Sequence, residues 1–243
     1  MVKVAINGFG RIGRNFLRSA YKSKADIDIV AINDLFETKY LKYVLKYDTV
    51  FGRFPGTVEA KDGALIINGK EIPVTAERDP ANLPHARNEI DVALEATGFF
   101  VKRDGAAKHL TAGAKKVVIS APASDPDVTV VLGCNDEKLL PEHKIISNAS
   151  CTTNCLAPVV KVLDEFKIKN GIITTIHSYT GAQKPVDTAI AGSPIKMTRG
   201  RACAANMLPT STGAAKAIGE VYPHLKGKLD GKAIRVPLLM EVL

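Results

Sequence analysis

Val2-Lys3-Val4-Ala5-Ile6-Asn7-Gly8-Phe9-Gly10-Arg11-Ile12-Gly13 opens the chain and decides how the first half folds. Val2 to Ile6 is an apolar run broken only by Lys3, as a buried parallel strand requires, and it flows straight into G-x-G-x-x-G. Beyond the loop, Ile12, Phe16 and Ala20 recur at helical spacing, with Arg14, Arg18 and Lys22 on another face. An amphipathic helix beginning at the loop is predicted. A second apolar run, Ile27 to Ile32, ends in Asn33-Asp34. Each piece has a physical reason: Gly8 permits the tight turn, Gly10 lets the backbone approach a pyrophosphate, and Gly13 lets helix and strand pack closely. The helix N-terminus attracts phosphate charge. Asp34 is placed to accept ribose hydroxyls and to repel a 2′-phosphate, so NAD is expected rather than NADP. A glycine loop alone is a common turn; the strand, helix, second strand and acid around it make it a dinucleotide signal.

Working outward, Tyr40, Leu41, Val44 and Leu45 suggest a helix, and Asp62-Gly63 and Asn68-Gly69 are hairpin signals. A strand from Ile90 to Leu94 leads to Ala96-Thr97-Gly98, a helix is predicted over 103–112, and strands over 116–120 and 128–132. This alternation argues for an α/β fold with a Rossmann-like, doubly wound sheet. Its crevice lies beyond the carboxyl ends of the strands, where Gly8, Asp34, Thr97 and Ser120 fall.

With 243 residues and 46% hydrophobic content, the chain has room for two domains. They are expected at 1–150 for dinucleotide binding and 151–243 for catalysis. No run approaches the ~18 apolar residues of a membrane span. The glycine loop comes too early for a secretory signal, and a cytoplasmic address is the expectation. The four cysteines then read as free thiols rather than disulfides. A net charge of +8 suits anionic partners without choosing among them, and no nucleic-acid recognition motif accompanies it.

The second half carries Ser147-Asn148-Ala149-Ser150-Cys151-Thr152-Thr153-Asn154-Cys155, followed by Leu156, Val159, Val160, Leu163 and Phe166 at helical spacing. Cys151 thus opens a helix whose dipole lowers the thiol pKa. Three readings stand: a nucleophile, half of a metal site, or a packed core thiol, with no second Cys/His pair to complete a zinc site. No metal is expected. Cys155 is expected to be buried and inert. The apolar strand from Gly171 to Ile176 ends at His177, which can carry its ring to Cys151 as a base. His85, His109, His143 and His224 sit in contexts that give no reason to choose them.

The stretches Ile6 to Arg14, Ser147 to Asn154, His177 to Thr180 and Pro209 to Lys216 resemble those of the phosphorylating glyceraldehyde-3-phosphate dehydrogenase family. The resemblance spans residues 2 to 237. It implies that Cys151 is the nucleophile and His177 its base, in an NAD-dependent oxidative phosphorylation of glyceraldehyde 3-phosphate. It implies further that Arg11, Ile12, Asp34, Arg78, Thr97, Gly98 and Ser120 surround NAD, together with Gly8, Gly10 and Gly13. Ser150, Thr152, Thr180, Arg201, Thr212, Gly213 and Arg235 would hold the substrate phosphate and inorganic phosphate. The resemblance implies a homotetramer. The loop from Gln183 to Arg201 is longer and less basic than the family's, and there is no Trp; His85 stands where one is frequent, read as a packing change only.

The closing Leu238-Leu239-Met240-Glu241-Val242-Leu243 reads as foreign to the family pattern. The expectation is therefore an α+β catalytic domain cut short, with exposed sheet edges. Rival functions are a non-catalytic NAD-binding fragment or pseudoenzyme, and an erythrose-4-phosphate dehydrogenase.

Overall fold

The computed structural model describes residues 1–239; the last part of the closing stretch, 240–243, lies outside the described residues. The opening strand, β1 (Val2–Asn7), sits inside a large sheet, and its side chains alternate between two cores. Val4 and Ile6 join Leu17, Ile29, Ile32, Leu45 and Ile72 on one face, while Ala5 joins Ile90, Ala93 and Ala114 in a separate cluster. A sheet covered on both faces wants strands that are apolar throughout, which is what the opening run supplies.

The elements that follow are α1 (Arg11–Ser23), β2 (Ile27–Asn33), α2 (Thr38–Lys46), β3 (Val58–Lys61), β4 (Ala64–Ile67), β5 (Lys70–Thr75), β6 (Val92–Glu95), α3 (Arg103–Thr111), β7 (Lys116–Ile119), β8 (Val128–Thr129) and β9 (Ile145–Ser147). After them come α4 (Cys151–Leu163), β10 (Gly171–Ser178), α5 (Pro194–Met197), β11 (Leu208–Thr210), α6 (Ala214–Val221) and β12 (Leu229–Val236). The chain divides into two compact units. One holds Met1–Val130 and Glu137–Ala149; the other holds Val131–Asp136 and the residues from Ser150 onward.

The first unit carries a nine-stranded sheet in the order β3-β4-β5-β2-β1-β6-β7-β9-β8. From β5 to β8 every neighbouring pair is parallel, as expected of strands linked by crossovers. β3, β4 and β5 form antiparallel hairpins at one edge. The turn between β4 and β5 has Asn68 and Gly69 at φ 50° and 82°, the left-handed pair that a two-residue hairpin needs. The α/β, doubly wound reading of the sequence describes this sheet.

Two local expectations are corrected. The buried stripe of α1 is centred on Gly13 and Leu17, and Ile12 is 45% exposed. The reason is Gly13: a Cβ there would stand 2.2 Å from the Gly8 carbonyl oxygen, so this face presses the helix against the loop and Ile12 turns outward. The apolar run 128–132 gives only a two-residue strand. Asn135 accepts from the Val131 backbone N–H through Oδ1 at 2.8 Å, which winds the chain into a turn instead.

The second unit holds a three-stranded sheet in the order β10-β12-β11, parallel between β10 and β12 and antiparallel between β11 and β12. α6 packs on β12, and α4 on α6, burying Ala157, Val160, Ala214, Ile218 and Ala233. β10 leaves Ile172 and Ile176 exposed. Among the described residues, no helix is long and apolar enough to cross a membrane.

Candidate active site

In the first unit, a cleft of about 510 Å³ opens at the carboxyl ends of the parallel strands. Asn7, Gly8, Gly10, Asp34, Arg78 and Thr97 line it, and Leu35, Phe36 and Phe99 supply apolar surface. Gly8 has φ 93°, and a Cβ on it would meet the Thr97 backbone nitrogen at 2.7 Å. Only glycine fits there. A Cβ on Gly10, by contrast, would point into open space, so the loop leaves room for a ligand beside it. Gly10 caps α1 without any side-chain bond, and the first turn carries no acid. A glycine cap brings no side chain to that helix end, which suits a pyrophosphate. Asp34 accepts from the Phe9 N–H at 2.7 Å and from the Phe36 N–H at 3.1 Å, which aims its carboxylate from below the glycine loop.

Other residues expected near a dinucleotide are placed differently. Arg11 pairs with Asp48 at 2.5 Å and Ile12 is exposed; neither is part of the cleft lining. Ser120 donates through Oγ to the Glu95 carbonyl at 3.0 Å, and Gly98 takes a left-handed turn at φ 76°. Sequence reasoning missed the floor of the cleft: Asn7, Asn33 and Glu95 are all buried. A signal was present, because each is the polar last residue of an apolar strand.

In the second unit, Ser150 caps α4 by accepting from the Thr153 N–H at 3.0 Å, and Cys151 is the first helical residue. Parallel pairing sets His177 beside Arg235, at the end of β10. From there His177 Nε2 lies 3.3 Å from Cys151 Sγ. The other ring nitrogen, Nδ1, is 2.7 Å from the Ser178 carbonyl oxygen, and Arg235 Nη1 donates to the same oxygen at 2.9 Å. Arg235 Nη1 also stands 2.8 Å from Nδ1, so a carbonyl and a guanidinium hold that side of the ring while Nε2 faces the thiol. The thiol pKa is held below the usual cysteine value chiefly by the hydrogen bond to His177, against the opposing effect of burial. Hydrogen bonds from Thr152 add a smaller contribution.

Arg235 is pushed below the ordinary arginine value by burial and then by the positive charge of Arg199. Arg199, a guanidinium the sequence reading passed over, donates to Thr210 Oγ1 at 3.0 Å. Arg201 is held by Asp187 at 3.1 Å, and the Thr180 N–H donates to Gln183 at 3.2 Å. Thr212 accepts from the Ala214 N–H at 3.2 Å, next to Gly213, which caps α6. One expectation fails here: Cys155 is exposed. α4 buries Thr153, Ala157 and Val160, and Cys155 stands about 200° around the helix from Thr153.

Comparison with known proteins agrees with both halves. The family described as glyceraldehyde 3-phosphate dehydrogenase, NAD binding domain, matches residues 2–103, and its C-terminal domain matches residues 150–242. The second match takes in most of the closing stretch that the sequence reading set outside the pattern. The glyceraldehyde-3-phosphate dehydrogenase of Xanthobacter flavus is 56% identical over 238 residues, covering 97% of this chain and 70% of that protein. The enzymes of Geobacillus stearothermophilus and Priestia megaterium are 55% and 54% identical over 239 residues each, with the same coverage. With a dinucleotide cleft in one unit, a thiol and imidazole in contact in the other, and relatives this similar along nearly its whole length, the chain belongs to the glyceraldehyde-3-phosphate dehydrogenase family.

Proposed function

We propose that this chain is a phosphorylating, NAD-dependent glyceraldehyde-3-phosphate dehydrogenase. The observation that carries the reading is the 3.3 Å contact between Cys151 Sγ and Nε2 of His177. The thiol adds to the aldehyde carbon as His177 takes its proton and returns it to the carbonyl oxygen, giving a hemithioacetal on Cys151 and leaving His177 neutral again. NAD, when bound, supplies the hydride acceptor. The uncapped start of α1 and Asp34 fit its pyrophosphate and ribose, and Arg78 and Thr97 flank the same cleft. His177 takes the hemithioacetal hydroxyl proton as the thioester forms. Inorganic phosphate then attacks the thioester carbonyl, the C–S bond breaks, and 1,3-bisphosphoglycerate leaves Cys151 as thiolate.

Ser150, Thr152, Thr180, Arg201, Thr212, Gly213 and Arg235 would hold the two phosphates. Hydroxyls, a helix-capping amide and guanidinium groups are suited to two adjacent phosphates, since charge-assisted bonds offset their desolvation. A cytoplasmic homotetramer completes the proposal. The test is NADH formation by the chain with glyceraldehyde 3-phosphate, NAD and inorganic phosphate. Cys151→Ser is expected to abolish turnover while NAD still binds; turnover near the parent rate in that variant would remove Cys151 from the mechanism. Erythrose 4-phosphate as the better substrate would overturn the choice of aldehyde.

A further inference from the structure

Glu95 ends β6 beneath the cleft, 1% exposed, and every side-chain contact it makes is with a donor. Asn7 Nδ2 donates to Oε2 at 2.6 Å, and the Thr97 N–H donates to Oε1 at 2.8 Å, joined there by the Thr97 hydroxyl. His109 Nε2, on α3, stands 3.1 Å from Oε2. An acceptor-only carboxylate requires the proton of His109 on Nε2. In the neutral imidazole Nδ1 then holds a lone pair, and His85 Nε2 lies 3.0 Å from it. The direction of every bond follows: His85 donates to His109, and His109 donates to Glu95. The two rings are stacked, 5.3 Å between centroids and 26° between planes. His85 is 3% exposed and His109 fully buried. The chain ends at His85 Nδ1, a buried nitrogen with no partner among the described residues.

We propose that His85 and His109 are positioning residues for the dinucleotide cleft, holding Glu95 so that Asn7 and Thr97 are fixed on its floor. A core histidine that merely fills space would not require a directed chain ending on two residues that line the cleft. Asn7 extends it further, since its Oδ1 accepts from Asn33 Nδ2 at 2.7 Å and Asn33 also lines the cleft. Burial and the neighbouring His109 push His85 down to about 4, so His85 itself stays neutral across the neutral range. The bare Nδ1 is a cost that packing alone gives no reason to bear. The substitution at 85 is therefore more than a packing change. Its link to cofactor binding rests on the reading of the cleft as the NAD site.

Long-range ¹H–¹⁵N NMR on the full chain at pH 7 is expected to show the proton on Nε2 of both rings. A ring protonated on Nδ1 overturns the proposal. His85→Phe keeps an apolar ring in place but removes the donor; it is expected to move the Thr97 amide and Asn7 side-chain resonances and to weaken NAD binding about tenfold. His85→Gln, whose amide can donate from the same place, is expected to restore affinity to within about twofold of the parent. A folded Phe variant with parental resonances and parental affinity sinks the idea. If the parent itself does not bind NAD, the reading of the cleft fails, and the resonances of Asn7 and Thr97 still decide whether the chain of bonds positions them.

Discussion

α1 and α4 both begin at the loops of the two proposed sites, yet their first turns are finished in opposite ways. Gly10 leaves the start of α1 without a side-chain cap, whereas Ser150 closes part of the start of α4 by accepting from Thr153. An open helix end keeps its N–H groups for an incoming anion; a capped one has already used one of them. The same glycine that opens α1 would be a poor choice before Cys151, where a fixed first turn aims the thiol at His177. Helix ends are thus finished here for two different uses: the uncapped one suits an anion, the capped one a mount.

The largest effect should come from removing the imidazole that the capped end faces. His177→Asn is expected to lower turnover by about 10²–10⁴-fold and to move the alkylation of Cys151 to higher pH. Pre-steady-state NADH formation and iodoacetamide rates against pH would measure both. If the alkylation profile stayed where it is, the helix end and not His177 would be the source of the low thiol pKa, and the comparison would collapse.

Next in size is an acid effect under the open end. His85 is held at about 4 in the folded chain, against 6.5 when unfolded. The unfolded state therefore binds more protons between these values, and stability falls as pH drops from about 6.5 to about 4, by at most about 3 kcal/mol. Above 6.5 this contribution is complete and flat. Urea unfolding across that range checks it, with His85→Phe expected to lack this part of the slope.

Packing at the open end comes third. Gly13→Ala would press a methyl group against the Gly8 carbonyl, so a loss of about 2 kcal/mol in stability is expected, with weaker NAD binding as the loop moves. Thermal unfolding and NAD titration would report it; a neutral result would mean that α1 can slide away from the sheet. Smallest is the cap itself. Ser150→Ala should cost about 1 kcal/mol and leave the thiol pKa nearly unchanged.

How much of this could be read in advance depended on whether a residue's role was local. Gly8, Gly10 and Gly13 were legible because a turn, an approach and a packing contact all lie within one short loop. Cys151 and His177 were legible for a similar reason: one starts a helix and the other ends a strand. Ile12 and Cys155 were misjudged because periodicity gives a stripe but not its centre, which Gly13 fixes in α1 and α6 fixes in α4. His85 and His109 are 24 residues apart and meet Glu95 only through the packing of α3 on the sheet. No spacing rule encodes that meeting. Arg199 was hidden in a loop whose folding depends on Asp187, which accepts from the Ala202 N–H at 2.9 Å and pairs with Arg201.

Val131–Asp136 bears on how this molecule could be taken apart. The chain leaves the first unit at Val130, returns at Glu137 and leaves again after Ala149. A fragment ending at 150 would carry those six residues without their surroundings, exposing Val131, Cys134 and Asn135, which are buried in the whole chain. It would also lose the bond from Lys161 Nζ to the Gly133 carbonyl, 2.6 Å long, that ties the segment to α4. Gene dissection at a single point would therefore give a sticky half. Replacing Val131–Asp136 with a short polar bridge would give a cleaner one, and the aggregation of the two fragments would show how much that small excursion contributes to solubility.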